Sequence, residues 1–337
     1  MSATDARSLL EAIGGESGCK RLALDFYARV ATNHELKPLF PGKSLRCATE
    51  EFAAFLIQFL DGNVDQTQYR WWLSLRESHS RFRISDRQSL AWLGLMGDAL
   101  DCQVEVAETR LNLKRFFNVA SAYLVGNDPG EMEHQELNWR WAQQLALDQL
   151  IDLIANGSDT EAIALSQQFS SRPGVFVGIL ARMIETGREP LVQFALECIQ
   201  RDHKLQDCRF NGRTLLHYAS GSSCLPIVRS LLSAGVDPDI LDSGGHTPLY
   251  RVAGSRENEI GDEIVTALVQ AGAKVDHCGG VSRSTALHQA ARFGDLQVAM
   301  ALLNAGASKS ARDKRGLTPL DRAVNCRRRN LVALLAP

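Results

Sequence analysis

Apolar side chains between residues 8 and 125 recur at helical spacing, and no stretch of any length alternates apolar with polar as a half-buried strand would. The pattern predicts helices over LLEAI, LALDFYARVA, EEFAAFLIQFL, LAWLGLMGDAL and LNLKRFFNVASAYLV. Gly14-Gly15 separates the first two, and Pro41-Gly42 punctuates the turn before the third. Residues 131–170 keep a helical apolar pattern centred on WRWAQQLALDQLIDLI, between Asp128-Pro129-Gly130 and Ser170 to Gly174, but carry no motif. Residues 173–207 read as two short amphipathic helices with turn signals at Pro173-Gly174 and Gly187. The predicted fold class is all-α.

Beyond residue 208 the pattern repeats. GRTLLHYAS, GHTPLYRVA, SRSTALHQA and RGLTPLDRA align on Thr214, Thr247, Thr285 and Thr318, which are 33, 38 and 33 residues apart. LLSAG, LVQAG and LLNAG follow at fixed positions and end in Gly235, Gly272 and Gly306. The period and the TPLHxA signature resemble the ankyrin repeat over about residues 208 to 337. Each threonine suits a helix N-cap, Pro248 and Pro319 suit the first helical position, and the glycines suit left-handed C-terminal caps. Leu215, Leu249, Leu287 and Leu320 are expected between repeats, since one helix pair cannot bury its apolar face alone. Five extra residues in the second unit, four of them near SRENEIGDE, map to loops. The resemblance gives His217 and His288 a bracing role, so they are read as structural.

Composition excludes several classes. A net charge of −2 supplies no general attraction to nucleic acid or anionic membrane. No apolar run reaches the roughly 18 residues needed to span a bilayer, and MSATDARSLLEAIGG lacks a cationic region followed by an apolar core. The expected location is cytoplasmic. Eight scattered cysteines, at 19, 47, 102, 198, 208, 224, 278 and 326, form no CxxC pair, so they are read as reduced packing residues, and covalent CxxCH attachment of haem is excluded.

EAIGG, DFYARV leading to ELKPLFPG, a phenylalanine-rich helix, SHSRFRI and AWLGLM, in this order, are similar to the group II truncated haemoglobins over about residues 8 to 125. The resemblance implies a two-over-two helical sandwich around non-covalent haem b. It places His79 at the proximal iron-ligand position, in an HxxFxI motif with Phe82 and Ile84 beside it. Tyr27, Phe40, Ala48, Phe52 and Trp92 match the distal positions, with Phe55 on the distal wall. Tyr27 and Trp92 carry an O–H and an indole N–H, and both are expected to contact a bound diatomic ligand. Ser78 stands where the family commonly has arginine, so the candidates for pairing haem propionates are Arg76, Arg81 and Arg83. Asp61-Gly62 stands where the family has Gly-Gly, and residues 69–76 lack its proline and histidine. Trp71 and Trp72 are either haem-edge packing or a docking surface for residues beyond 131. Taken one by one, each aromatic reads first as ordinary core and His79 as a solvated histidine; taken together they favour haem.

The expected organisation is a globin at 1–128, a helical connector at 129–172 and an ankyrin solenoid at 173–337, with a degenerate cap at 173–207 and four repeats at 208–337. Three functions compete. The first is a haem protein reversibly binding O2, NO or CO, coupled to or anchored by repeats that bind an unidentified protein through loops such as Asp242 to His246 and Cys278 to Arg283. The second is a haem enzyme, an NO dioxygenase or peroxidase; no GxGxxG unit or flavin domain supplies its electrons, so it would need a separate reductase and a dedicated enzyme is disfavoured. The third is a haem-free scaffold.

Overall fold

The computed structural model describes residues 9–40, 44–61, 67–68, 73–80, 82–127, 133–255 and 260–336. Pro41-Gly42, Gly62, Trp71, Trp72, Arg81, Asp128-Pro129-Gly130 and the RENE part of the repeat insertion lie outside them. The chain forms two compact units, Met1–Val64 with Tyr69–Asp152, and Asp65–Gln68 with Leu153–Pro337.

The first unit runs α1 (Leu9–Ala12), α2 (Gly15–Val30), α3 (Arg46–Asp61), α4 (Leu75–His79), α5 (Asp86–Gln103), α6 (Ala107–Val125) and α7 (Gln135–Asn156), of which α7 belongs here through Asp152. α2 packs on α3, α5 packs on α6, and α2 contacts α5 to join the two pairs. Gly14 and Gly15, at φ 93 and 67, make the break between α1 and α2 in a region that side chains disfavour. Gly18 is required for another reason: a Cβ there would meet the Ile13 carbonyl oxygen at 1.9 Å. Leu22, Phe26, Leu56, Leu60, Met96, Leu100, Leu113 and Phe116 are buried in one core, each contributing about 1.5–3 kcal/mol of transfer free energy. Leu137 and Trp141 of α7 join the same core, with Trp141 edge-on to Phe116 at 5.8 Å and to Tyr123 at 5.3 Å. The stretch read from the sequence as the start of a connector is thus, for most of α7, part of the globin core.

The second unit begins with the last turn of α7 and continues through α8 (Asp159–Ser166), α9 (Pro173–Thr186) and α10 (Glu189–Arg201). Four helix pairs follow: α11 (Leu215–Gly221) with α12 (Leu225–Ser233), α13 (Pro248–Val252) with α14 (Gly261–Gln270), α15 (Ala286–Phe293) with α16 (Leu296–Asn304), and α17 (Pro319–Asn325) with α18 (Arg329–Leu335). First helices stack on first helices and second on second, as a solenoid requires. Two short strands, β1 (Thr67–Gln68) and β2 (Arg209–Phe210), pair in parallel within this unit, a feature that no alternating pattern announced.

The repeat chemistry follows the sequence. Thr214, Thr247, Thr285 and Thr318 are the N-caps of α11, α13, α15 and α17. Gly235, Gly272 and Gly306 sit at φ 87, 100 and 92 after the second helices. Leu215, Leu249 and Leu287 are buried, and Leu320 is half-buried. His217 accepts the Thr214 backbone N–H on Nδ1, and its Nε2 lies 3.1 Å from the His246 carbonyl of the next repeat; His288 bridges Thr285 to Leu317 in the same way, at 2.9 Å. A carbonyl only accepts, so both imidazoles carry their proton on Nε2. Burial holds the His217 pKa down at about 4 and depresses that of His288.

Candidate functional site

The site starts at α4, five residues with Ser74 as N-cap, its hydroxyl accepting the Glu77 N–H at 3.1 Å. His79 is the last residue of this helix. Its Nδ1 lies 2.8 Å from the Leu75 carbonyl one turn back, and 2.9 Å from the Ser78 hydroxyl, which itself donates to the same carbonyl at 2.8 Å. Nδ1 must therefore donate, which in a neutral ring leaves the lone pair on Nε2. An imidazole oriented by a backbone carbonyl through one nitrogen presents the other as a metal donor. Ser78, where the family pattern has arginine, supplies a hydroxyl to this arrangement.

From His79 a chain of aromatic rings runs across the unit. His79 faces Phe82 at 6.3 Å, Phe82 faces Phe40 at 5.8 Å, Phe40 meets Tyr27 edge-on at 5.7 Å, Tyr27 meets Phe52 at 6.3 Å, and Phe52 meets Trp92 at 6.4 Å. The elements that place them are α4, α2, α3, α5 and the segments beside them, so residues far apart in sequence share one wall. Phe26 and Phe117 back it, at 5.1 and 5.5 Å from Trp92. Tyr27, Phe40, Phe52 and Trp92 pack on the core yet remain only half-buried, whereas Phe55 is buried behind Phe52. A cluster of large, half-buried apolar rings supplies the kind of surface a flat apolar ligand needs.

The polar tips carry a second signal. Neither the Tyr27 hydroxyl nor the Trp92 indole N–H has a hydrogen-bond partner among the described residues. Burial, with Glu51 nearby, pushes the Tyr27 phenol above its ordinary value, which keeps it a neutral O–H donor. Two donors without partners among the described residues, beside a half-buried aromatic wall, suit a small polar ligand. An imidazole donor, an apolar wall and two unused donors together fit haem and a diatomic gas.

The remaining sequence-predicted residues fall around this wall. Ala48 lies half-buried in the first turn of α3, and Ile84 lies half-buried between α4 and α5. Arg76 is exposed and stacks its guanidinium over the Tyr123 ring at 4.4 Å, and Arg83 is exposed. Arg81, like Trp71 and Trp72, is outside the described residues.

Sequence reasoning missed a polar stripe on α7. Arg140, Gln144 and Asp148, spaced by four, are all buried on the face that meets the globin helices. Arg140 donates to the Phe59 carbonyl near the end of α3, and Gln144 donates to the Leu73 carbonyl at 3.0 Å. Asp148 accepts the N–H groups of Leu75 at 2.9 Å and Arg76 at 3.2 Å, the Tyr123 hydroxyl at 3.0 Å and the Gln144 amide at 2.7 Å. The available signal was polar residues recurring every fourth position inside an otherwise apolar helix.

Residues 8–123 match the family described as Bacterial-like globin, and residues 180–277 and 253–337 match Ankyrin repeats (3 copies). The chain is 38% identical over 91 residues to the Group 2 truncated hemoglobin YjbI of Bacillus subtilis (strain 168), covering 27% of this chain and 67% of that protein. It is 36% identical over 111 residues to a Putative ankyrin repeat-containing protein of Treponema pallidum (strain Nichols), covering 33% of this chain and 36% of that one. With the SH3 and multiple ankyrin repeat domains protein 1 of Homo sapiens it shares 39% identity over 94 residues, 28% of this chain and 4% of the relative. The chain thus spans about two thirds of the globin relative and well under half of the ankyrin relatives. A histidine at one end of a run of aromatic rings, on a globin helix order, accords with these matches: the chain belongs to the group 2 truncated haemoglobins through its N-terminal domain, and ankyrin repeats lie C-terminal to it.

Proposed function

We propose that the globin domain binds non-covalent haem b through His79 and reversibly holds a diatomic gas, O2, NO or CO, while the ankyrin repeats engage a protein partner. The observation that carries the reading is the His79 ring, whose Nδ1 is committed to the Leu75 carbonyl so that Nε2 is the donor nitrogen. When bound, ferrous haem supplies an open coordination position for the gas. Phe40, Phe52, Phe82 and Ile84 give the porphyrin apolar surface, with Phe55 packed behind Phe52, and Ala48 keeps a small side chain at the distal edge. Tyr27 and Trp92 offer O–H and N–H donors to the ligand, favouring slow release. Arg76 and Arg81 are assigned to the propionates, Arg76 by leaving the Tyr123 ring. Among the described residues no helix is long and apolar enough to cross a membrane, and the thiol cysteines favour a reducing cytoplasm.

The deciding experiment is an absorption spectrum of the full chain supplied with haem. A Soret band that is lost or strongly weakened in His79→Ala supports the reading; no band in the wild-type chain leaves a haem-free scaffold. Regulation requires that the gas have different affinities for partner-bound and partner-free protein. Partner capture by ferrous protein with and without the gas measures this, and equal capture reduces the repeats to an anchor. Rapid mixing of the O2-loaded protein with NO, repeated with a reductase, tests the enzyme alternative; one turnover without recycling argues against it.

A further inference from the structure

The Asp148 carboxylate and the His79 ring are bound to opposite ends of one peptide group. The amide joining Leu75 to Arg76 donates its N–H to Asp148 Oδ2 at 3.2 Å, and its carbonyl oxygen accepts from His79 Nδ1 at 2.8 Å. The other carboxylate oxygen takes the Leu75 N–H at 2.9 Å. These two N–H groups and that of Glu77, which goes to Ser74, are first-turn donors that a helix cannot satisfy internally. A helix of five residues has little stability of its own, so its orientation depends on such outside contacts. Asp148 is 4% exposed and is itself fixed by Tyr123 and Gln144. Its charge therefore acts on the amide through little water.

We propose that Asp148 is a positioning residue for His79: through the Leu75–Arg76 peptide it orients the imidazole and polarises the carbonyl that accepts its Nδ1 proton, strengthening Nε2 as a donor. The inference rests on the haem reading above. An anion on the N–H of an amide makes the carbonyl a better acceptor, because hydrogen bonds in series polarise one another. A stronger acceptor on Nδ1–H raises the basicity of the opposite nitrogen, the effect that carboxylates and carbonyls exert on metal-bound histidines. α7 lies beyond the segment that matches the globin family, residues 8–123.

The test uses the full chain loaded with haem and reads the iron–histidine stretching band of the unliganded ferrous form by resonance Raman, alongside transfer of haem to an acceptor globin. Asp148→Asn removes the charge and turns an N–H toward a donor, so the band moves to lower wavenumber and haem loss accelerates about tenfold, the scale of one charge-assisted bond. Tyr123→Phe removes a donor that shares the carboxylate's charge, leaving more of it for the Arg76 N–H, so the band moves to higher wavenumber. A merely structural role shifts both variants the same way. Opposite shifts support the proposal, and any other pattern overturns it. If Asp148→Asn does not hold haem, Tyr123→Phe decides alone: a rise supports the proposal, and no change or a fall refutes it. Absence of the band in the wild-type chain overturns instead the assignment of His79.

Discussion

Replacing Tyr27 by phenylalanine separates a ligand contact from a packing contact. The ring stays: it meets Phe26 at 5.0 Å, Phe40 at 5.7 Å and Phe52 at 6.3 Å, and phenylalanine keeps all three. The hydroxyl has no hydrogen-bond partner among the described residues, so its removal breaks none of the described bonds and is expected to change stability by less than about 0.5 kcal/mol. Its effect on the bound gas is larger. A hydrogen bond to a group that carries charge contributes about 1.5–3 kcal/mol, which corresponds to roughly 10- to 150-fold in rate of release if the whole bond is lost on dissociation. The assay is stopped-flow displacement of O2 by excess CO from the ferrous full chain, with chemical denaturation run in parallel. Trp92→Phe tests the second donor and the double variant their independence. An unchanged release rate in both single variants refutes the assignment of these tips to the ligand. A loss of several kcal/mol of stability in Tyr27→Phe refutes the premise that the hydroxyl is unused by the fold.

The ankyrin unit is expected to lose stability as pH falls from about 6.5 to about 4, since burial lowers the His217 pKa to about 4 and the unfolded chain, which takes up the proton first, gains relative to the folded one; at most about 3 kcal/mol is involved, and His217→Gln flattens this part of a pH-dependent denaturation curve. A second acid step is expected between about 3.8 and about 2: burial alone would raise the Asp242 pKa, but the His246 N–H and Arg251 outweigh it and hold the group at about 2, so its stabilisation is complete above 3.8 and disappears on protonation. Asp242→Ala leaves Arg251 without this buried partner and is expected to cost about 3–5 kcal/mol by urea denaturation. Leu287→Ala, at a fully buried position of α15, is expected to cost about 2–5 kcal/mol and to leave the globin absorption unchanged.

The solenoid was legible because its physics is local and repeated: a threonine cap, a first-turn proline, and a glycine in the left-handed region act within a few residues. Of the four threonine caps, the three followed at the third position by His217, His288 or Asp321 close as reciprocal boxes, whereas Thr247, followed by Tyr250, does not; in the last unit Asp321 takes the histidine's place and accepts the Thr318 N–H at 2.7 Å. The tie between each loop and the helix that follows it, Asp242 with Arg251 and Asp313 with Arg322, was not legible, although each pair is nine residues apart, because burial and not spacing makes those carboxylates important.

In the globin domain the sequence by itself determined the helices, the break at Gly14-Gly15 and the set of aromatic and histidine positions, since amphipathic periodicity and glycine geometry are properties of short segments. It left Tyr27, Phe40, Phe52 and Trp92 divisible between core and ligand wall, because both uses demand the same apolar stripe. Tertiary structure decided which rings stay half-buried and which polar tips find no hydrogen-bond partner among the described residues. It also decided the fate of α7, whose sequence reads as a connector but whose Arg140, Gln144 and Asp148 reach backbone groups more than 70 residues earlier. Such bonds depend on which orphaned N–H and C=O groups the packed helices leave beside the stripe, and that is fixed only once the chain has folded.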